Sequence, residues 1–517
     1  MKILVKTKKT DFINLSIIFL SSFFVNFYFG SLGAFPIDTF AFFDSSYYFT
    51  KQFLPIRDFW TSNGFFVDIL QGIFFKLFGV NWFVYLLHPS IINFIFAAIT
   101  YKFFIEEGLS PFLSLFYSIS VSILAYPSSG APFPDHHSIL ISLIAVYFLI
   151  FALKNNRDFY WYLIPPLLLI AFISKQIPAA FFIIFISFYY IFFSFISRRY
   201  KVLFLGFLST ITVLLIFFLF LSFLNIGFKD FLIQYLLFPL SIGNSRSETF
   251  NLLSLLYLMI NELKFFSIIC LSLLIIFFQE RRKFRNKKNI IFETTFILLS
   301  STVILILNQM LMKNQIIIFF LLPILVGLLH SQIKTNKKFL IYAIVLLNIF
   351  VVSKYHLRFN VDRKFIDIEY VSKTNLIDGS IISSKINGLR WVTKYTNKDN
   401  FDEVALIKQS IDFLRDKKGS IIITNYQFIL SELEHDIYSP NRWYTSDGVS
   451  YPIKGNKFHE YYKDFYQNKL IKNKVKKIYT IKPLDIKTFD FLLSKKCIIT
   501  KEINIILSEH DISNCFS

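Results

Sequence analysis

Apolar runs of about 20 residues recur along the first two thirds of this 517-residue chain, and no other feature restricts its fold so strongly. A hydrocarbon layer of about 30 Å is crossed by roughly 20 apolar residues in a helix. That ruler divides the chain into eleven expected spans, at 12–33, 82–104, 110–127, 138–153, 159–174, 177–196, 202–225, 251–278, 289–308, 315–331 and 338–354. Lys2, Lys6, Lys8 and Lys9 precede the first, but its length and the lack of a small-residue cleavage site before Phe35-Pro36 favour a retained anchor over a signal peptide. With 55% of residues hydrophobic and only 17% charged, a single water-soluble globule is excluded.

The charge is distributed to match. Residues 355–517 hold 46 of the 88 charged residues, so the chain is read as a membrane part, 1–354, followed by a water-exposed tail, 355–517. The net charge of +20 does not indicate nucleic acid, because the Lys/Arg clusters are short and sit between apolar runs. Lys154/Arg157, Arg198/Arg199/Lys201, the run from Arg281 to Lys288, and Lys334/Lys337/Lys338 fall on the same side as the N-terminal lysines. By the positive-inside rule that side is cytoplasmic. Eleven spans then place the N-terminus in the cytoplasm and the tail in the periplasm of a bacterial inner membrane. Residues 34–81, 128–137 and 226–250 become extracytoplasmic loops, and the apolar stretch Gly64 to Phe78 reads as an interfacial helix.

The tail reads as a mixed α/β domain large enough for its own core. Helical spacing runs from Glu403 to Asp416 and Gly419 stops it. β-runs are expected at Ser420–Thr424, Lys477–Ile481, Cys497–Thr500 and Ile503–Leu507, with a helix from Asp485 to Leu493. The three cysteines have no metal-type spacing. Cys497 and Cys515 share an oxidising compartment in this topology and either pair or are two unrelated thiols. No Walker loop, dinucleotide glycine fingerprint, nucleophile elbow or His-Glu-x-x-His occurs.

Acidic residues are scarce before residue 355, yet Asp38, Asp44, Asp58 and Asp68 crowd the first outside loop. Asp135 stands in the second, within Tyr126-Pro-Ser-Ser-Gly-Ala-Pro-Phe-Pro-Asp-His-His-Ser138. Carboxylates at a lipid–water boundary can serve as general bases or bind a cation, or can simply be solvated. From Phe43 to Trp60 they alternate with Tyr47, Tyr48, Arg57 and aromatics, a mixture suited to phosphate and sugar contacts. A local ion pair is the plainer reading of Arg57-Asp58.

An Asp just outside the first span, the tyrosine pair Tyr47-Tyr48, then Leu54-Pro55-Ile56-Arg57-Asp58-Phe59 and an apolar stretch ending at Gly79 resemble the first-loop signature of the GT-C membrane glycosyltransferases. The subgroup resembled is that of protein O-mannosyltransferases and lipid A aminoarabinose transferases. The Pro134-Asp135-His136-His137 segment and Ala171-Phe-Ile-Ser-Lys175-Gln176 add to the likeness, which covers residues 12–200 and extends further only in architecture. Many relatives carry Asp-Glu where this chain has Asp44-Ser45, and Thr61-Ser-Asn-Gly64 replaces the usual lysine–proline element.

The resemblance implies a polytopic α-helical, GT-C-like fold and an inverting transfer of a sugar from a polyprenyl-phosphate donor to a lipid, glycan or protein hydroxyl at the outer face of the bilayer. Asp44 is the expected base, with Asp38 its rival, and Asp135 the second catalytic carboxylate. Asp38, Tyr47, Tyr48, Arg57, Asp58, His136, His137, Lys175, Gln176 and Arg246 are the expected substrate-binding residues. Arg57, Lys175 and Arg246 supply cationic help to the departing phosphate, although a lysine near a span end can also snorkel to headgroups. No cofactor or obligatory metal is expected, while His136 and His137 could join Asp135 around a divalent cation. The tail loops Ser439–Tyr444 and Gly448–Pro452 read either as turn and core or as carbohydrate contacts. The competing functions are a lipid-linked saccharide flippase or transporter, and an O-antigen-type polymerase or ligase.

Overall fold

A computed structural model of the chain describes residues 2–243, 252–283, 290–311, 317–333, 338–371, 376–396, 400–445, 447–484 and 496–515. Within these, the membrane part is helical: α1 (Lys2–Gly30), α2 (Pro36–Thr39), α3 (Ala41–Thr50), α4 (Phe65–Phe78), α5 (Trp82–Glu106), α6 (Pro111–Leu124), α7 (Pro134–Asn155), α8 (Asp158–Ser174), α9 (Gln176–Ser197) and α10 (Tyr200–Phe223). They continue with α11 (Phe228–Phe231), which passes through a π-helical turn, Leu232–Leu237, into α12 (Phe238–Ser241). Then follow α13 (Leu252–Asn261), α14 (Lys264–Lys283), α15 (Ile290–Leu311), α16 (Leu321–Gln332) and α17 (Lys338–His356).

Seven of the described helices are long and apolar enough to cross a membrane: those at Thr10–Gly30, Trp82–Glu106, Pro134–Asn155, Gln176–Ser197, Tyr200–Phe223, Glu293–Leu311 and Lys338–Ile366. The other four expected spans are shorter apolar helices, at Pro111–Leu124, Asp158–Ser174, Lys264–Gln279 and Leu321–Gln332. The expected span 251–278 is two helices, because the chain turns between Asn261 and Lys264, where Glu262 and Leu263 both donate to the carbonyl of Leu258. The helix α7 is apolar on all sides and takes the centre. Its hydrophobic window is 89% buried against 17% for α10, whose surface is left for lipid.

Two glycines bound α4. Gly64 adopts φ +77° before its first turn, and Gly79, at φ +87°, ends it. A Cβ on Gly64 would lie 2.5 Å from the Phe42 ring and 3.0 Å from the Arg442 guanidinium, so both conformation and space demand glycine there.

The tail contains a two-stranded ribbon, β1 (Ile377–Asp378) with β2 (Arg390–Trp391), then α18 (Asn400–Leu414), β3 (Ile421–Thr424), α19 (Phe428–Leu433), α20 (His459–Lys472), β4 (Lys477–Ile481), β5 (Ile499–Glu502) and β6 (Leu507–Asp511). The sheet order is β3-β4-β6-β5, with β3 and β4 parallel and the remaining pairs antiparallel. Alternation along the strands sends Ile422, Tyr479 and Ile481 to the core of α18, and Ile421, Ile423 and Ile478 to that of α20. The expected strand Ile503–Leu507 begins only at Leu507. The Asn504 side chain accepts from the amides of Ile506 (2.9 Å) and Leu507 (2.7 Å), which folds Ile503–Ile506 into the hairpin turn. The expected helix Asp485–Leu493 lies outside the described residues. Cys497 and Cys515 form a disulfide.

The tail does not keep a core to itself. Trp391, Ile407, Phe428, Tyr438 and Tyr479 pack in one cluster with Phe40, Phe43, Tyr48, Trp82 and Tyr85, so the first loop and the tail share an apolar interior.

Candidate functional site

Three elements distant in sequence converge under the tail. The first is the N-terminus of α7, where Phe133 is extended, Pro134 fills the first helical position and Asp135 sits in the first turn. The second is the break between α8 and α9. There Lys175 (φ −157°, ψ 136°) and Ile177 (φ −114°, ψ 129°) are extended, and the Lys175 side chain reaches both carboxylate oxygens of Asp135 at 2.6 Å. The break is anchored from all sides. Ser138 donates to the Lys175 carbonyl (3.0 Å), the Gly64 amide donates to the Ser174 carbonyl (2.9 Å), and the Gln176 amide nitrogen donates to the carbonyls of Ser62 and Tyr235 (2.6 Å each).

The third element is α2. The hydroxyl of Thr39 donates to the Ser129 carbonyl at 3.0 Å, and Tyr85 donates to the Thr39 carbonyl at 2.6 Å, which pins the turn carrying Asp38 against the second loop. Burial pushes the Asp38 carboxyl up to about 6, and the negative charge of Asp135 adds to the shift while Lys175 and Lys394 oppose it.

Asp38, Asp135 and Lys175 line one cavity of about 170 Å³, together with Phe42, Ser62, Asn63 and Phe133. Its outer wall is supplied by the tail: Trp443, Thr445, Asp447, Val449 and Ser450. The Trp443 indole nitrogen donates to the Ile37 carbonyl at 3.0 Å and so fixes this wall over α2. A second cavity, of about 480 Å³ and almost wholly apolar, lies between α8, α9 and α10. Phe172, three residues before Lys175, is in its lining.

The remaining expected site residues lie elsewhere. Asp44 does not line the polar cavity. It is buried in α3, its Oδ1 has no hydrogen-bond partner among the described residues, and burial holds its carboxyl well above the usual range. The Tyr47 hydroxyl is likewise buried and has no partner among the described residues, and Tyr48 donates to the His435 carbonyl (3.0 Å) with its ring 4.5 Å from that of Tyr438. Arg57 and Asp58 form a local ion pair at 2.7 Å. Arg57 also donates to the carbonyls of Leu224 and Gln52, and Asp58 accepts from the Leu54 amide and Lys469, so the pair ties loops together away from the cavity. Arg246 lies outside the described residues.

His136 and His137 diverge from Asp135. His136 meets the Ala125 carbonyl at 2.9 Å, while His137 meets His88 at 2.8 Å, and His88 in turn meets Gln71 at 3.0 Å. Among the described residues no three His, Cys, Asp or Glu side chains gather as a metal-binding group.

Sequence reasoning missed one pair altogether. Arg442 and Asp68 are both fully buried and form an ion pair between the tail and α4. Asp68 also accepts from Ser45 (2.5 Å), and Arg442 donates to the Asn63 carbonyl (2.8 Å) while its guanidinium lies 4.6 Å from the Phe42 ring centre. The available signal was Asp68 itself, an acid in an apolar helical stretch, which requires a buried cation.

The fold is that of a multi-pass helical membrane protein, with a polar pocket walled in part by a sheet-containing tail. No protein-family model matches the chain, and no curated protein matches its sequence.

Proposed function

We propose that the chain is an inverting glycosyltransferase that moves a sugar from a polyprenyl-phosphate donor to a hydroxyl acceptor at the outer face of a bacterial inner membrane, with Asp38 as the base. The observation that carries this reading is the meeting of Asp38, Asp135 and Lys175 in one polar cavity. A base must reach the proton it takes, and Asp38 opens on the cavity whereas Asp44 is enclosed. A carboxyl pushed up to about 6 is more basic than an ordinary carboxylate and still largely ionised at neutral pH.

In the step proposed, the acceptor O–H gives its proton to the Asp38 carboxylate as its oxygen bonds to the anomeric carbon. The bond from that carbon to the phosphate oxygen breaks, and polyprenyl phosphate departs with the electron pair. One displacement inverts the centre, unlike the double displacement of retaining enzymes. Lys175 is the cation nearest the departing charge. Asp135 holds it in place beforehand and lets it turn toward the phosphate. The apolar cavity beside Phe172 suits the lipid tail. The disulfide supports an oxidising location for the tail, and with it the orientation that puts the N-terminus in the cytoplasm.

The test is transfer by the purified full-length chain supplied with polyprenyl-phosphate sugars, comparing Asp38→Asn with Asp44→Asn. Turnover abolished in the first and kept in the second supports the assignment. Turnover surviving in Asp38→Asn removes Asp38 as base, and no turnover of any donor by the unaltered chain removes the function.

A further inference from the structure

The charge lining the cavity differs between its membrane side, which holds Lys175, and its tail side, which holds Asp447. Three carboxylates line the cavity, Asp38, Asp135 and Asp447; Lys175 lines it too and bonds both oxygens of Asp135, and Lys394 acts on Asp38 from the tail. Of the charged residues lining the cavity, Asp447 is the one that the tail supplies, so a phosphorylated acceptor entering from that side would meet a carboxylate.

That side has other chemistry to offer. Trp443 is half-buried, locked by its bond to the Ile37 carbonyl and by the Arg442 guanidinium and the Phe42 ring, whose centres lie 4.9 and 5.6 Å from its own, and it lines the cavity. Four residues on, Asp447 is exposed and held in a tight turn: its Oδ1 accepts from the Thr445 hydroxyl (2.7 Å) and the Val449 amide (3.1 Å). Among the described residues nothing bonds its Oδ2. An ionised carboxylate accepts up to about four hydrogen bonds, so Asp447 keeps acceptor capacity on the cavity wall. A rigid aromatic face beside a fixed carboxylate is what a neutral sugar ring requires, its C–H face on the indole and its hydroxyls donating to the acid.

We infer that the acceptor is a neutral glycan whose terminal sugar stacks on Trp443 and hydrogen-bonds Asp447, which makes these two residues the acceptor-specificity pair. This rests on the transferase reading above. The test uses the full-length chain with one polyprenyl-phosphate sugar donor and three acceptors: unphosphorylated hexose and N-acetylhexosamine oligosaccharides, a Ser/Thr-rich peptide, and a phosphorylated saccharide lipid.

Transfer to the oligosaccharides is expected, with KM for them raised about ten- to a hundredfold in Asp447→Asn, the size of one charged hydrogen bond, and kcat changed little. Unchanged thermal melting shows that the variant is folded. Transfer to the peptide or the phosphorylated lipid in place of the oligosaccharides, or an unaltered KM in Asp447→Asn, overturns the inference while leaving the transferase reading intact. If no donor is turned over at all, the inference is read separately by tryptophan fluorescence. Quenching by the oligosaccharides that disappears in Trp443→Phe supports the glycan site without the enzyme, and no quenching overturns it.

Discussion

Asp38 and Asp44 are six residues apart and occupy opposite circumstances. Asp38 sits on a four-residue helix at the edge of a cavity, within the fields of Asp135 and Lys175. Asp44 sits one helix later, packed inside the core shared by the first loop and the tail, with tyrosines as neighbours and an oxygen that has no partner among the described residues. Both carboxyls are raised by burial, but only Asp38 lines the cavity. A shifted pKa therefore does not mark a reactive group unless the group is also accessible.

The largest expected effect tests that contrast directly. Asp38→Asn removes a general base and should lower kcat by about 10²- to 10⁴-fold with little change in KM. Asp44, whose carboxyl burial raises well above the usual range, is nearly isosteric with Asn, so Asp44→Asn should keep kcat within a few-fold and leave melting unchanged or slightly raised. Steady-state kinetics on the two variants decide it, and reversal of the two results would restore Asp44 as base.

Next in size is the buried pair that joins the regions. Arg442→Met leaves the Asp68 carboxylate unpaired with no exposed surface and should cost about 3–5 kcal/mol in unfolding free energy. The double variant Asp68→Leu with Arg442→Met should recover much of that loss, because apolar replacement of a buried pair is often neutral. Equal damage in the single and double variants would mean that the pair is not the staple between α4 and the tail.

Much of the architecture could be read from local pattern, whereas the choice of site could not. The apolar runs, the glycines at 64 and 79, and the strands beginning at Ile421 and Lys477 are set by periodicity and turn chemistry, which neighbouring residues encode. The start of β6 was misplaced because the Asn504 side chain competes for the backbone amides that a strand would use. That Asp38, Asp135 and Lys175 belong to one neighbourhood was legible from their shared side of the membrane. Which carboxylate faces open space depends on how Tyr48 and Tyr438 pack across nearly 400 residues, and no local pattern carries that information. Arg442 illustrates the same limit, since its partner lies in another element altogether.

A smaller, graded effect follows from pH. In the proposed reaction the ionised form of Asp38 is the base, so kcat/KM should rise as pH increases through about 6 and level off above it. Stability moves in the opposite direction. Between the ordinary value of 3.8 and about 6 the folded chain holds a proton that the unfolded chain has released, so the contribution of Asp38 is fully present below 3.8 and lost as pH rises through 6. Asp38→Asn should remove both dependences together. A pH–rate profile whose acid limb falls well away from 6 would detach the activity from this carboxyl.

The least effect is expected where the first loop carries its most phosphate-like pattern. Arg57 is about one third exposed, already shared among Asp58 and two backbone carbonyls, and remote from the cavity lining. Partly exposed ion pairs contribute about 0–1 kcal/mol, so Arg57→Gln should shift unfolding by less than about 1 kcal/mol and leave kcat unaltered. A loss of kcat approaching that of Asp38→Asn, with melting unchanged, would place the departing phosphate near Arg57 instead of Lys175 and would move the reacting centre from the α7–α9 junction to the loop beside α10.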